Sequence, residues 1–435
     1  MPTTQHEPTL SALAARVAAG EQTSTEAITA ALDRLDRTER ELRAWVRVDR
    51  AGALRVAAQL DASPGDLTDS AATPLRGIPV GVKDIIDVAG LPTECGSELR
   101  RGNTARVDAP LVARLRRLGA IPLGKTVTTE FAYFAPGPTR NPHNPAHTPG
   151  GSSSGSAAAV AAGVVPLALG SQTAGSLTRP AAYCGVAGFV APVGGPLDTA
   201  GFVGLSHTLD AVGLLTPTVA DLRLAYGALT GTHLPSTTPA PLDRRPRLTV
   251  WTGTELGPVE PDMLQALEHA VPEGAELVEV DWPARTPALV EAHLTVMAYE
   301  AARALATEAE QPDRLSAPLA ELLARGREIT EADYRSALSL RHRARTETLS
   351  LLTDVDAVLG PAAPGAAPKG LTATGSPALS RPWQLLGLPA LTVPGRTNDQ
   401  NMPLGLQLVG HPDRLDHLFE LGHALETAAR ARRAD

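Results

Sequence analysis

The hydrophobic pattern of the chain opens with a helical stretch. Residues 10–60 are rich in Ala, Leu, Arg and Glu, and the apolar side chains recur at helical spacing. Gly20 interrupts the spacing just before Thr23, which is a good N-cap residue for a second helix. The pattern predicts helices that pack against a core and carry no chemistry.

The pattern then changes to short apolar runs. Residues 80–88 and 120–123 are typical of buried strands, and the amphipathic residues 111–118 predict a helix between them. The alternation returns in an Ala-rich helix over 155–162 and a buried strand over 164–170. Strands and helices that alternate in this way favour a largely parallel sheet, with functional loops at the strand ends.

A second helical region covers most of residues 290–352. Thr330 followed by Asp333 resembles a capping box at the start of its last helix. Proline-rich stretches lie on either side of this region. They predict a surface linker at 231–246 and an irregular segment at 361–382.

Composition narrows the class of protein. The net charge of −8 is spread without a basic block, which argues against a nucleic-acid surface. Cys95 and Cys184 are too few for a disulfide framework and lack ligand-like spacing, so a reducing compartment is expected. No apolar run reaches about eighteen residues, and the first residues lack a signal-peptide pattern. We therefore expect a cytoplasmic protein that binds neither nucleic acid nor membrane.

Two glycine-opened loops carry small hydroxyl side chains. Residues 150–156 read Gly-Gly-Ser-Ser-Ser-Gly-Ser and residues 171–176 read Ser-Gln-Thr-Ala-Gly-Ser. Such loops expose serine oxygens and backbone N–H groups to a reacting carbonyl. Lysine occurs only three times, and Lys83 lies in an apolar run. Because lysine can lose its proton and arginine cannot, this lysine indicates a base. The residues thus predict a serine hydrolase that uses lysine in place of histidine.

These motifs resemble the amidase signature family. The similarity extends over Pro74–Asp87, Asp108–Lys125, Thr129–Ala132, Thr139–His143, Thr148–Gly163, Pro166–Gly188, Trp383–Pro389 and Pro403–Gly410. It implies one α/β unit over residues 1–435 with a mixed, mainly parallel central sheet and helices on both faces. Within that unit we expect N-terminal helices (1–70), a catalytic core (71–230), a linker (231–246), a variable, mainly helical region that shapes substrate access (247–360) and a C-terminal core segment (361–435).

The resemblance also implies a catalytic triad. Ser176 would be the nucleophile, Lys83 the base, and Ser152, in a cis peptide bond with Gly151, the proton relay between them. Ser152 lies twenty-four residues before Ser176, which is the interval of the family. The oxyanion hole would be formed by the N–H groups of Thr173, Ala174, Gly175 and Ser176.

Each of these motifs has another interpretation. Ser176 could be a turn serine, and Ser152 could belong to a flexible serine-rich loop. Lys83 could form a structural ion pair with Asp84 or Asp87. Gly151-x-Ser153-x-Gly155 also fits the nucleophile elbow of α/β-hydrolases, although a loop precedes it where the elbow requires a strand.

Substrate binding is predicted for four residues. The spacing Ser-x-x-Arg-Pro at Arg179 resembles the malonamidase branch of the family, in which the arginine binds a substrate carboxylate; a guanidinium fits a carboxylate bidentately. Arg179 could instead form an ion pair with a nearby Asp or Glu at the start of a helix. Tyr133, Phe134 and Trp383 lie in motif segments that could reach the pocket.

The expected activity is hydrolysis of the C–N bond of a small-molecule amide, with no metal or organic cofactor. Two other functions stay open: the amidase subunit of a tRNA-dependent amidotransferase, which needs partner chains, and a catalytically silent homologue that acts as an interaction protein. Gln172, Ala174 and Val190 depart from the common family residues, and the first and last of these speak against the amidotransferase subunit. A homodimer is compatible with this expectation.

Overall fold

The computed structural model describes residues 9–63, 73–232 and 244–434. Its helices over these ranges are α1 Leu10–Ala18, α2 Ser24–Leu42, α3 Arg50–Ala62, α4 Pro110–Arg117, α5 Ser154–Ala161, α6 Thr178–Cys184, α7 Val219–Thr230, α8 Pro261–Glu268, α9 Thr286–Ala304, α10 Ala317–Glu328, α11 Glu331–Asp354, α12 Arg381–Leu386 and α13 Leu415–Ala434. Most of the linker predicted at 231–246 lies outside the described residues.

The strands over the same ranges join in one sheet. They are β1 Trp45–Val48, β2 Pro79–Lys83, β3 Ile121–Thr126, β4 Leu167–Gln172, β5 Ala187–Val190, β6 Ala211–Thr216, β7 Arg247–Val250, β8 Glu276–Leu277, β9 Ala357–Pro361, β10 Ala390–Thr397 and β11 Pro403–Val409. Their order across the sheet is β1-β3-β2-β4-β6-β5-β10-β11-β9-β7-β8. The region 247–360, expected to be mainly helical, therefore also supplies the three strands at one end of the sheet.

The mixed sheet flanked by helices is confirmed, but the expected predominance of parallel pairs is not. Parallel pairing joins β3 to β2, β2 to β4, β9 to β7 and β7 to β8. The other six neighbouring pairs within the described part of the chain are antiparallel. A short connection, such as the one between β10 and β11, returns the chain in the opposite direction and so produces an antiparallel pair.

The central strands are buried on both faces. Every residue of β2, β3, β4 and β6 is buried. Because successive side chains of a strand point to opposite faces, helices and loops must cover both sides of the sheet there. This explains why the sequence shows continuous apolar runs at these strands instead of alternation.

The helical regions agree with the sequence pattern, with one exception. Thr23 and Glu26 form a capping box at the start of α2, and the Thr330 hydroxyl accepts a hydrogen bond from the N–H of Asp333 at the start of α11. The exception is β1, which interrupts the helices predicted over 10–60. It is a short edge strand that is held by its pairing with β3. Four residues between two helices are too few to show the alternating hydrophobic pattern of a strand.

The fold brings three strand ends to one edge of the sheet. β2 and β4 run parallel and end at Lys83 and Gln172, while β6 runs antiparallel to β4 and starts at Ala211, opposite Gln172. Asp210, just before β6, therefore lies at the edge where Lys83 ends β2. Polar side chains from three segments distant in sequence meet here.

Candidate active site

Lys83 ends β2 with its side chain completely buried. Its Nζ lies 2.6 Å from Oγ of Ser152 and 2.8 Å from Oγ of Ser171. Burial lowers the pKa of Lys83 to about 7, and the negative charge of Asp210 opposes this shift. Among the described residues the amine therefore has only hydroxyl partners for its hydrogen bonds, and with this pKa it gives up its proton near neutral pH.

Lys125 provides an internal comparison, because it is equally buried but differently paired. Its Nζ lies 2.8 Å from Oδ1 of Asp84 and 3.0 Å from both the carbonyl oxygen of Pro92 and Oγ1 of Thr93. Asp84 thus pairs with Lys125, and no carboxylate among the described residues lies within ion-pair distance of Lys83. Lys125 has the surroundings of a structural ammonium group, and the alternative ion pair of Lys83 is not formed.

In the serine-rich loop one serine lines the cavity, and the neighbouring serines hold the loop in place. The peptide bond between Gly151 and Ser152 is cis, and the Ser152 hydroxyl contacts Lys83. Ser153 shares hydrogen bonds with the backbone of Ser171, while Ser154 donates to the carbonyl oxygen of Val127. Ser153 is completely buried by these contacts, which leaves little support for the nucleophile elbow.

Ser176 lies in a loop of residues 173–176 between β4 and α6. Ser152 and Ser176 line the same cavity. Within the described residues no direct hydrogen bond joins their hydroxyls. The N–H of Ser153 donates to the carbonyl oxygen of Ser176 at 3.0 Å, so the two serine loops are held together at the backbone.

The backbone of the 173–176 loop offers free donors. None of the N–H groups of Thr173, Ala174, Gly175 and Ser176 donates a hydrogen bond to a described residue. All four residues line the cavity. Buried N–H groups are normally paired, so a row of unpaired ones beside a hydroxyl fits a site that receives a ligand oxygen.

Gln172, which departs from the common family residue, anchors this loop. Its Oε1 accepts hydrogen bonds from the N–H groups of Leu177 and Thr178 at 2.9 and 3.1 Å and from the Thr178 hydroxyl at 3.0 Å. Its Nε2 donates to Oε1 of Gln384 on α12 at 3.0 Å. The neutral side-chain amide of Gln172 thus uses its oxygen to accept hydrogen bonds from the start of α6 and its nitrogen to donate one to the side chain of Gln384.

Thr173 is held at two atoms by residues that the sequence did not single out. Its hydroxyl donates to Oδ1 of Asp210 at 2.5 Å, and its carbonyl oxygen lies 2.8 Å from Nε2 of His293 on α9. Asp210 also accepts hydrogen bonds from the N–H groups of Leu205 and Ser206. Ser171, which the sequence placed in a loop, is the penultimate residue of β4 and contacts Lys83.

Arg179 lines the cavity, and both of its terminal nitrogens donate to neighbouring groups, whereas its buried Nε has no hydrogen-bond partner among the described residues. The guanidinium donates to the carbonyl oxygens of Gly151 and Gly375 at 2.6 and 2.9 Å and to Oγ1 of Thr374 at 3.2 Å. Burial lowers its pKa to about 10. These contacts favour the structural interpretation of Arg179, although its partners are backbone carbonyls and a threonine instead of an acidic side chain.

The three aromatic residues predicted at the pocket behave differently. Tyr133 and Phe134 line the cavity, with their rings in edge contact at 4.8 Å. Trp383 is buried away from it, between Trp251 and Trp282 at centroid distances of 5.0 and 5.2 Å. The expectation for Trp383 is corrected to a core position, because its indole fills space between two other indoles. Thr374 and Pro377 also line the cavity.

Over the described ranges no helix is long and apolar enough to span a bilayer.

Comparison with known proteins points to one family. The family model for Amidase matches residues 26–416. A glutamyl-tRNA(Gln) amidotransferase subunit from Akkermansia muciniphila is 32% identical, covering 89% of this chain and 92% of that protein. The corresponding protein from Roseiflexus castenholzii is also 32% identical, over 94% of this chain and 93% of that protein.

Solved structures agree with this result. A crystal structure of an amidase is 30% identical with a TM-score of 0.84, covering 96% of this chain and 99% of that one. The peptide amidase from Stenotrophomonas maltophilia is 29% identical with a TM-score of 0.80, over 99% and 98%. The match in sequence and fold extends over nearly the whole chain, which therefore belongs to the amidase signature family.

Proposed function

We propose that this protein is an amidase that hydrolyses the C–N bond of a small-molecule amide through an acyl-enzyme on Ser176. The observation that carries the proposal is the environment of Lys83: a completely buried amine whose hydrogen-bond partners are two serine hydroxyls, one of which lines the cavity with Ser176. A buried amine with a pKa of about 7 can accept a proton at neutral pH.

The reaction then follows a defined path for the proton. Neutral Lys83 takes the proton of the Ser152 hydroxyl while Ser152 takes that of Ser176, whose hydroxyl must first rotate toward Ser152. Oγ of Ser176 attacks the amide carbonyl, and the oxyanion binds the free N–H groups of the 173–176 loop. As the C–N bond breaks, the proton returns through Ser152 to the leaving amine. Water, deprotonated by the same route, attacks the acyl carbonyl and releases the acid and Ser176.

Acyl transfer to hydroxylamine tests this function. We expect the purified chain alone to convert amides and hydroxylamine into hydroxamates, because an acyl-enzyme reacts with any small nucleophile that reaches it. The measurement is hydroxamate formation over a panel of aliphatic, aromatic and carboxylated amides. A chain that transfers no acyl group from any of them would contradict a self-sufficient amidase.

The names of the relatives favour a second function. Several relatives that are 30–32% identical to this chain are named as glutamyl-tRNA(Gln) amidotransferase subunits, so an amidotransferase component stays a candidate. Such a component would act on glutamine and would depend on partner chains for ammonia transfer. Full activity of a monomer or homodimer on amides other than glutamine would exclude it.

The carboxylate preference first suggested by Arg179 can be tested in the same assay. Because Arg179 holds the carbonyl of Gly151, next to Ser152, we expect Arg179→Ala to lower kcat/KM at least about tenfold for neutral and anionic amides alike. The measurement is kcat/KM for matched pairs such as malonamide and malonamate. A loss confined to the anionic member of each pair would restore the carboxylate-binding role and contradict the structural one.

A further inference from the structure

One face of α9 lies over the proposed active site. His293, Met297 and Glu300 are spaced four and three residues apart, which places them on the same side of the helix. His293 contacts Thr173, and Met297 lines the cavity. Glu300 accepts hydrogen bonds from the N–H and hydroxyl of Thr208, in the loop before β6. The region expected to shape substrate access thus also touches the loop that carries the nucleophile.

The protonation state of His293 follows from its surroundings. The ring is completely buried, and burial lowers its pKa to about 3, so it is neutral at any working pH. A carbonyl oxygen can only accept, so Nε2 carries the hydrogen and donates it to Thr173. Nδ1 has no hydrogen-bond partner among the described residues. The ring therefore makes a single directional contact, and that contact is with the 173–176 loop.

This contact sets the direction of the next N–H group. The peptide unit between Thr173 and Ala174 is planar and trans, so its C=O and N–H point in opposite directions. His293 fixes the C=O toward α9. The N–H of Ala174 must then point away from His293, and it has no partner among the described residues. Ala174 lines the cavity, so this N–H is available to an oxygen bound there.

We infer that His293 is a positioning residue for the oxyanion hole: it holds the Thr173–Ala174 peptide so that the N–H of Ala174 faces the oxyanion. The inference rests on the acyl-enzyme of the proposed function. Asp210 fixes the side chain of the same Thr173 at 2.5 Å, so the residue has two anchors and the peptide cannot turn without breaking one of them. His293 touches no reacting atom and acts only through Thr173.

The test compares side chains that differ in reach. His293→Gln places an amide N–H close to the position of Nε2, whereas the shorter His293→Asn does not, and His293→Leu removes the donor while keeping an apolar group of similar size. Val296→Ala is the matched control, because Val296 is completely buried on the same helix and does not line the cavity. The measurement is the pre-steady-state burst of full-length protein with p-nitrophenyl acetate, together with thermal unfolding.

We expect the Leu and Asn variants to acylate about ten- to a hundredfold more slowly, with burst amplitude and KM within about twofold of the wild type. Mispositioning an oxyanion donor should cost less than removing one, which typically costs 10²–10³-fold. The Gln variant should recover to within about fivefold of the wild type, and Val296→Ala should match the wild type.

Other results overturn the inference. Equal rates for the Asn and Gln variants would show that the hydrogen bond to Thr173 does not matter, and this pair decides the question even if the Leu variant fails to fold. A slowing that Val296→Ala reproduces would indicate loose packing instead of positioning. If the wild-type chain shows no burst, the proposed function is overturned and the inference with it. If the wild-type burst is normal and the Leu and Asn variants acylate at the same rate, the inference alone is overturned.

Discussion

Ser176→Ala should abolish amide hydrolysis, with a loss of at least about 10⁴-fold in kcat, because removing the nucleophile of a coupled catalytic unit costs nearly as much as removing the whole unit. The structure supports Ser176 by its position. It lines the cavity next to Ser152 and its lysine, in a loop whose four N–H groups have no hydrogen-bond partner among the described residues. A fluorophosphonate should label the wild-type protein once and leave Ser176→Ala unlabelled, as measured by intact mass and peptide mapping.

The matched control is Ser154→Ala. Ser154 lies in the serine-rich loop and is buried, but its hydroxyl donates to the backbone of Val127 and does not line the cavity. We expect this variant to label fully and to lose little activity. An adduct on Ser153 would instead revive the nucleophile elbow and contradict the assignment of Ser176.

The sequence could point to the residues at the centre of the candidate site because their motifs are local. Lys83, Ser152 and Ser176 each lie in a short segment rich in glycine or apolar residues. The strand predicted over 80–88 already ends at Lys83 in the structure, and helices follow Ser152 and Ser176 as expected. The contact of Ser171 with Lys83 could have been inferred in the same way. Because β2 and β4 are parallel neighbours, a residue near the end of β4 lies close to Lys83 at the end of β2.

The supports of the site could not be predicted in the same way. His293 lies 120 positions from Thr173 in the chain, and a lone histidine in an apolar helix carries no signal of the partner it will meet. The sequence marked Gln172 only as a departure from the common family residue, because Gln384, which accepts a hydrogen bond from its Nε2, is 212 residues away. Such pairs are visible only once the sheet has brought distant segments together.

For Trp383 the sequence motif predicts a segment that does lie near the site, but the side chain that faces the site belongs to a neighbouring residue. Its segment does reach the site, because Gln384 contacts Gln172 and the carbonyl of Leu209. Successive residues of a helix differ in direction by about 100°, so when Gln384 faces the nucleophile loop its neighbour faces elsewhere. The indole accordingly packs between Trp251 and Trp282. A six-residue helix is too short for its hydrophobic period to reveal this.

Lys83→Arg should lower kcat at least about a thousandfold, since it keeps a positive charge but loses a proton that can be removed near pH 7. The wild-type rate should fall on the acid side of pH 7 as Lys83 takes up a proton, and the measurement is kcat/KM from pH 5 to 9. Lys125→Arg is the comparison, because its charge is paired with Asp84. Any loss of activity there should follow a loss of folded protein, as measured by circular dichroism.

Stability separates a base from a structural lysine. The folded-state pKa of Lys83, about 7, lies below its unfolded value of 10.5, so between these pH values the unfolded chain binds a proton that the folded chain does not. The folded state therefore loses stability as the pH falls from 10.5 to 7, by a total on the order of 5 kcal/mol. Lys83→Met removes this penalty, and we expect a Tm at pH 7 at or above that of the wild type in a protein that has lost its activity. A markedly lower Tm together with near-normal turnover of Lys83→Arg would show that the lysine supports the fold and is not the base.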